Sequence, residues 1–201
     1  MRKGILIAGL LAISAGIVNA QKSYSAGIKA GANIFNLKED KKGGFDYQTR
    51  TSANAGFFFH IPIMGGFGLQ PELLYSGEGA KFKDTVAKTS NTIRLQYVNI
   101  PVMIQYNTPF GLTVEAGPQL GILVQGKQVI DKSGSKSELD LLSKNLKVTQ
   151  LAVAGGLSYH FMRYGIYGRY VHGLSNLSKV ETDPKLTSSG FQVGLSVWFK
   201  Q

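Results

Sequence analysis

The sequence predicts an all-β chain, specifically an eight-stranded antiparallel up-and-down transmembrane β-barrel. Three observations carry this. Apolar residues alternate with small or polar ones in eight segments, and a period of two is what successive side chains of a strand produce. The connections between segments run long, short, long, short, long, short, long. Charge collects in the long connections and is nearly absent from the segments.

The last segment shows the rule most clearly. Phe191, Val193, Leu195, Val197 and Phe199 share one face, and Gln192, Gly194, Ser196 and Trp198 share the other. A tilted strand needs about 9 to 11 residues to cross a bilayer, and Phe191 to Phe199 meets that length. Such a strand, with an aromatic residue close to the terminus, is similar to the closing strand that the barrel-assembly machinery reads in outer-membrane barrels.

A chain of 201 residues with 25 Gly and 6 Pro suits one domain rich in turns. Arg2 and Lys3 precede an uncharged, largely apolar run from Gly4 to Val18, and Val18-Asn19-Ala20 has the small outer positions of a signal-peptidase site. Residues 1–20 are therefore expected to be a signal peptide for Sec-type export, and 21–201 the outer-membrane barrel domain, starting at Gln21. The chain has no Cys, so neither a lipidated mature start nor disulfides are available. Its net charge of +10 would suggest nucleic acid in a cytosolic protein. Export argues against nucleic acid and for anionic outer-membrane lipid, lipopolysaccharide above all.

The elements follow in order. Strand one, Ser23 to Leu37, sets Tyr24, Ala26, Ile28, Ala30, Ala32 and Ile34 against Ser25, Gly27, Lys29, Gly31 and Asn33; residues 38–50 form a charged, glycine-containing loop. Strand two, Thr51 to Ile63, carries Phe57, Phe59 and Ile61 on its apolar face and turns at Met64-Gly65-Gly66 into strand three, Phe67 to Gly79. Residues 80–92 read as a second long loop. Strand four, Leu95 to Tyr106, turns at Pro109-Phe110-Gly111 into strand five, Leu112 to Gln125. The longest connection, 126–147, contains Ser137-Glu138-Leu139-Asp140, where Ser137 would cap a short helix over the barrel mouth; an irregular loop is the alternative. Strand six, Val148 to Phe161, turns at Met162-Arg163-Tyr164-Gly165 into strand seven, Ile166 to Leu174, and a fourth long loop containing Pro184 leads to the closing strand. Long loops on one side and short turns on the other are what an even-stranded bacterial barrel requires. Pro71, Pro101 and Pro118 each remove a ladder donor, and bulges are the expected accommodation.

A soluble lipocalin-like carrier would share the alternation but turn its apolar face inward and a charged face to water. After the expected signal, 24 of 32 charged residues fall in the four long connections taken as 38–50, 81–94, 127–147 and 175–189, and within the strands only Lys29, Glu72, Glu78, Glu115 and Arg169 are charged. That partition favours lipid outside and a crowded polar lumen inside. Tyr75, Tyr170 and Phe191 near the loop end, with Tyr106, Phe161 and Phe199 near the turn end, suit two interfacial girdles. The loops hold 15 Lys and Arg against 9 Asp and Glu. That excess of positive charge suits lipopolysaccharide headgroups, and envelope protein partners at the loops are a further expectation.

Three patterns carry a family resemblance: Tyr97-Val98-Asn99-Ile100-Pro101-Val102-Met103-Ile104-Gln105-Tyr106, Gly117-Pro118-Gln119-Leu120-Gly121, and Gly155-Gly156-Leu157-Ser158-Tyr159 with Gly168-Arg169-Tyr170-Val171-His172-Gly173-Leu174. From Ser23 to Gln201 the chain resembles the small outer-membrane β-barrel domain family of Bacteroidota, which includes porin-T-like and OmpX-like eight-stranded barrels. In that family the position of Asn99 is often acidic and that of Gln105 often basic, so the resemblance implies a member lacking that lumen pair. The porin-T-like branch would imply a component of an outer-membrane protein secretion machine.

No phosphate loop, zinc spacing, nucleophile elbow or dinucleotide fingerprint is present, so no cofactor, metal ligand or catalytic residue is assigned. An outer-leaflet lipid hydrolase would need a Ser, a His and an orienting acid. Ser158 and His160 share a face, but near a periplasmic turn and inside the barrel, as does His60. His172 approaches the outer interface, with Ser175 and Ser178 as poor partners. The remaining candidate is structural: Lys29, Glu72, Glu115 and Arg169 lie on the polar face near one level, and two acids with two bases sum to zero. An eight-stranded barrel leaves room only for its own side chains, so this cluster is expected to fill the lumen and function to lie at the ends.

Overall fold

The computed structural model describes residues 24–39, 47–84, 89–132, 135–140, 146–178 and 185–199; the expected signal peptide and the start at Gln21 lie outside them. The strands are β1 (Ser25–Glu39), β2 (Tyr47–Pro62), β3 (Phe67–Asp84), β4 (Thr89–Asn107), β5 (Leu112–Lys132), β6 (Ser135–Asp140), β7 (Thr149–Phe161), β8 (Tyr164–Gly173) and β9 (Leu186–Trp198). All pairings are antiparallel. β1 pairs with β2 and with β9, β4 pairs with β5, and β5 pairs with β7, so eight strands close on themselves with β6 as a short addition to the side of β5.

Closure is the reason the alternation reads so regularly, because no strand has to present an unpaired backbone to lipid. In β8 every second residue is buried, with Tyr167, Arg169 and Val171 inward and Ile166, Tyr170 and His172 outward. Leu195 is 63% exposed and Phe57 61%, values that would be anomalous in a soluble protein and are natural in a lipid-facing belt. The belt ends in tilted aromatic contacts at both edges, Phe67 with Tyr106 at 5.0 Å below and Tyr170 with Phe191 at 4.9 Å above. At the first short turn Gly65 and Gly66 take φ of 59° and 84°. A Cβ on Gly66 would also sit 2.8 Å from the Asn107 carbonyl oxygen of the adjoining turn, so only glycine fits there.

Four expectations are corrected. Residues 80–92 are not a loop throughout: β3 continues to Asp84 and β4 begins at Thr89, paired residue for residue from Lys81 with Thr92 to Asp84 with Thr89. Residues 38 and 39 likewise extend β1, 47–50 begin β2, and 186–189 begin β9. The 126–147 connection contains no helix among its described residues. β5 runs on to Lys132, and Ser137, the expected cap, pairs with Ile130 within β6. The cause is an edge. β7 covers β5 only as far as Ile122, which leaves the upper flank of β5 unpaired unless β6 folds back on it.

The prolines are not accommodated by bulges. Pairing lapses beside each one: between Phe58–Glu72 and Ile61–Leu69, between Pro71–Val102 and Leu74–Asn99, and between Pro101–Gln119 and Ile104–Ala116. It resumes in the same register each time, so the missing donor opens the ladder locally without inserting a residue. The register shifts that do occur lie higher, between Thr49 and Asn54 in β2 and between Gln96 and Tyr97 in β4.

Candidate functional site

The lumen is filled in layers. At the turn end Trp198 takes edge contacts from Phe58 at 4.7 Å, His160 at 5.1 Å and His60 at 5.6 Å. Trp198 belongs to the inward face of β9, so the one bulky residue of that otherwise small face is the floor of the barrel.

Above this floor the structure brings together Lys29 from β1, Glu72 from β3, Glu115 from β5 and Arg169 from β8. The Arg169 guanidinium grips Glu72 with two parallel bonds, Nη1 to Oε2 at 2.9 Å and Nη2 to Oε1 at 2.8 Å, and reaches Glu115 Oε1 from Nε at 2.8 Å and Nη2 at 2.6 Å. Lys29 Nζ donates to Glu72 Oε1 at 2.9 Å and stands 4.4 Å from the centre of the Tyr167 ring. Amides complete the set, Gln70 donating to Glu72 at 2.8 Å and Gln105 to Glu115 at 2.9 Å, while Gln105 Oε1 meets His60 Nδ1 at 3.0 Å. All four charged side chains are buried, and Arg169 is only 1% exposed. The fork of an arginine, matched to two carboxylates, is the geometry in which a buried charge is offset by directed bonds. The space left among Lys29, Gln70, Glu115, Ser158, Tyr167 and Trp198 is about 10 Å³, at the lower limit for one water molecule.

An amide layer follows. Tyr167 donates to Asn54 at 2.7 Å, Asn54 to Asn33 at 2.6 Å, and Asn33 to Ser76 and to the Gly77 carbonyl, each at 2.8 Å. Higher still is Glu78, a charged strand residue that the sequence reading left out of the cluster. It is 1% exposed and accepts from Asn99 at 3.2 Å and Ser188 at 2.7 Å, with no ion-pair partner among the described residues. The signal that could have found it is simple: it continues the inward face of β3 beyond Glu72, Leu74 and Ser76. Asn99 and Gln105, where the resembled family often carries an acid and a base, serve here as neutral donors to Glu78 and Glu115.

The top layer was not anticipated. Leu37, Ala80, Leu95, Tyr97, Leu123, Leu146 and Leu177 form a buried apolar cluster inside the upper barrel. Leu146 is tied to Ser178 by a bridge between the last two long connections, so those connections help to cap the mouth. The signal is in the sequence, since the inward positions of β3 to β5 turn apolar at Ala80, Leu95 and Leu123, but alternation and charge alone put these positions in a loop or near strand ends.

The histidines do not assemble a hydrolase. His60 and His160 belong to the floor. His172 faces outward and pairs not with Ser175 or Ser178 but with Ser189, Oγ to Nδ1 at 3.1 Å, while Ser175 Oγ accepts from the Leu151 amide at 3.0 Å. No carboxylate bonds to His172 among the described residues. Nor does any group of three or more His, Asp or Glu among those residues have the arrangement to hold a metal ion.

A sealed, strand-only barrel with a lipid-facing belt and a polar lumen defines the class, a bacterial outer-membrane barrel. The family model described as outer membrane protein beta-barrel domain matches residues 19–179, and the chain belongs to that family. Among solved structures it is similar to Ail, the attachment invasion locus protein of Yersinia pestis, crystallised with the heparin analogue sucrose octasulfate, with a TM-score of 0.53 at 13% identity over 89% of this chain and 100% of Ail. Neisserial surface protein A is similar to the same degree, with a TM-score of 0.53 at 16% identity over 88% of this chain and 99% of that one. No curated protein matches in sequence.

Proposed function

We propose that this protein is a non-conducting outer-membrane barrel that acts through its extracellular end, as a structural or interaction protein whose long connections meet envelope partners. The observation that carries this reading is the filled lumen, with an aromatic floor, a neutral four-charge network and an apolar cap in series. A conduit would need a continuous polar path, and an eight-stranded barrel supplies none once its inward side chains are packed. The four lumen charges accordingly have a structural role. Delivery by Sec-type export with removal of residues 1–20, and insertion through the closing strand, belong to the same proposal.

Two measurements test it. The purified protein in planar bilayers is expected to show no steady single-channel conductance, and steady openings would overturn the sealed reading. Crosslinking on intact cells, followed by co-purification from membranes, is expected to recover partners from the native chain and lose them when residues 133–145 are replaced by a short glycine-serine link. Recovery of a secretion machine by this route would place the chain in the porin-T-like branch. Unchanged recovery after the replacement would remove the long connection from the interface. A first residue of Gln21 in protein purified from membranes checks the processing step.

A further inference from the structure

Cations line one side of the outer wall just above the lipid belt. In β4 the outward residues climb from Tyr106 through Ile104 and Val98 to Gln96 and then Arg94; in β5 they climb from Val114 through Ile122 and Val124 to Lys127. Arg94 and Lys127 are registered directly opposite each other. Like charges facing across a ladder are destabilising, yet a third cation joins them. Arg50 of β2 is anchored by Nη1 to the Glu78 carbonyl at 2.7 Å, and burial, then the nearby Arg94 charge, lowers its guanidinium below the ordinary value. Lys81, outward and exposed on β3, pairs with Thr92, the residue two along from Arg94 on the same face. Set against these are Glu138, held by Lys127 at 2.9 Å, and Asp140, registered opposite Lys127 on β6, so cations still outnumber acids on this wall.

The depth and the asymmetry give the cluster its meaning. Lys127 is three residues beyond Val124, about 10 Å along a strand and less along the tilted membrane normal. That is headgroup depth, where acyl chains end and the phosphates of a glycolipid begin. On the opposite wall the outward residues just above the Tyr170–Phe191 girdle are His172, Ser189 and Asn36, and the next outward pair is Lys38 with Thr187, so that wall offers a single cation where this one gathers several.

We propose that the outer wall of β2 to β5 carries a binding site for the phosphate groups of an outer-leaflet glycolipid, formed by Arg50, Arg94 and Lys127 with Lys81 at its upper edge. Two arginines supply planar forks that meet a phosphate through paired bonds, and the lysines add point charge. A bound anion adds to the relief that Glu138 already gives the Arg94–Lys127 repulsion. The site is independent of the protein partners proposed above, because it lies on the wall of the barrel and not in the connections.

The folded protein in detergent, titrated with bisphosphorylated lipid A and followed by native mass spectrometry, tests the assignment. Removing each cation near a charged surface is worth roughly a fivefold change in affinity, so the double variant R94Q/K127Q is expected to bind about 25-fold more weakly and the triple variant with R50Q weaker still. The double variant spares the Arg50 anchor, and heat-modifiable migration verifies that each variant folds. E138Q is expected to bind at least as tightly as the parent. Inorganic phosphate alone is expected to bind far more weakly than the lipid; equal binding would mean a free-anion site and not a lipid one. The proposal is overturned if dephosphorylated lipid A binds as well as the bisphosphorylated form. It is overturned equally if K38Q/K147Q/K185Q, which removes cations elsewhere on the rim, weakens binding as much as R94Q/K127Q.

Discussion

The lower and upper parts of this barrel obey opposite rules along the same strands. Within the belt β3 turns Leu73 and Tyr75 outward and Glu72 and Ser76 inward; a few residues higher it turns Lys81 outward and Ala80 and Phe82 inward. β4 changes from Ile104 outside and Gln105 inside to Arg94 outside and Leu95 inside, and β5 from Val114 outside and Glu115 inside to Leu123 inside and Lys127 outside. The difference teaches where the membrane ends. Surrounded by lipid, apolar residues gain nothing by facing inward and the lumen is left to groups that bond one another; surrounded by water, the ordinary hydrophobic preference returns. The inversion marks the boundary more sharply than the aromatic girdle does.

The comparison breaks most visibly at Arg169. Replacing it by Met leaves Glu72 and Glu115 buried without their main partner, and such a loss costs about 3 to 5 kcal/mol. Urea unfolding from bilayers should show it, and the double change E115Q/R169M should cost less than the sum of the two singles; additive costs would mean that the pair does not act as a unit. Next comes the lipid face. Leu195→Arg should cost roughly 2 to 4 kcal/mol in bilayers, whereas Ser196→Arg, which points at the lumen beside Lys29, should act through packing and change little between lipids of different thickness. Better tolerance of Leu195→Arg than of Ser196→Arg would reverse the assignment of inside and outside.

Above the inversion, Leu95→Ala should cost about 2 to 3 kcal/mol, in the lower range for a buried leucine because the adjoining connections are free to settle. The loss should be the same in detergent and in bilayers, unlike that of Leu195→Arg. The smallest effect belongs to Glu138, whose carboxyl the Lys127 ammonium holds below the usual carboxylate range. With its pKa lowered, the contact is fully present above the ordinary carboxylate pKa and is lost as pH falls through the lowered one. A carboxyl-carbon NMR titration of Glu138 should show that displacement, and Glu138→Gln should leave overall stability unchanged, as for an exposed pair.

Much of the fold was legible because closure makes every strand repeat one rule. The strand count, the faces and the short turns followed from alternation and from Gly65, Gly66 and Pro109. What failed was the assumption that charge marks loops. Lys81, Arg94 and Lys127 are strand residues whose charge reports water outside the wall and not irregular backbone, so the strands were cut short where the membrane ends. The same assumption hid the apolar cap, because Ala80 then fell in a loop and Leu95 opened its strand, leaving Leu123 alone, two residues short of a strand end. For the lumen, alternation identified which charged residues face inward, but contacts between strands far apart in sequence depend on tilt and shear, which no local pattern states. Glu78 shows the limit: it shares the face of Glu72, yet the two have entirely different partners.

The closing seam has a kinetic consequence. β1 and β9 pair along an unbroken ladder from Gly27 with Trp198 to Glu39 with Leu186, so the first and last strands of the barrel meet over nearly their whole length. This pairing has the greatest sequence separation in the molecule, and contacts of that kind form slowly because the loop-closure entropy is spent before they give any return. Hairpins such as β7–β8 are local and form early. The barrel should therefore pass through an open curl of hairpins with β1 and β9 still unpaired, and the rate of the final step should be governed by that seam: weakening it should slow closure far more than weakening any hairpin.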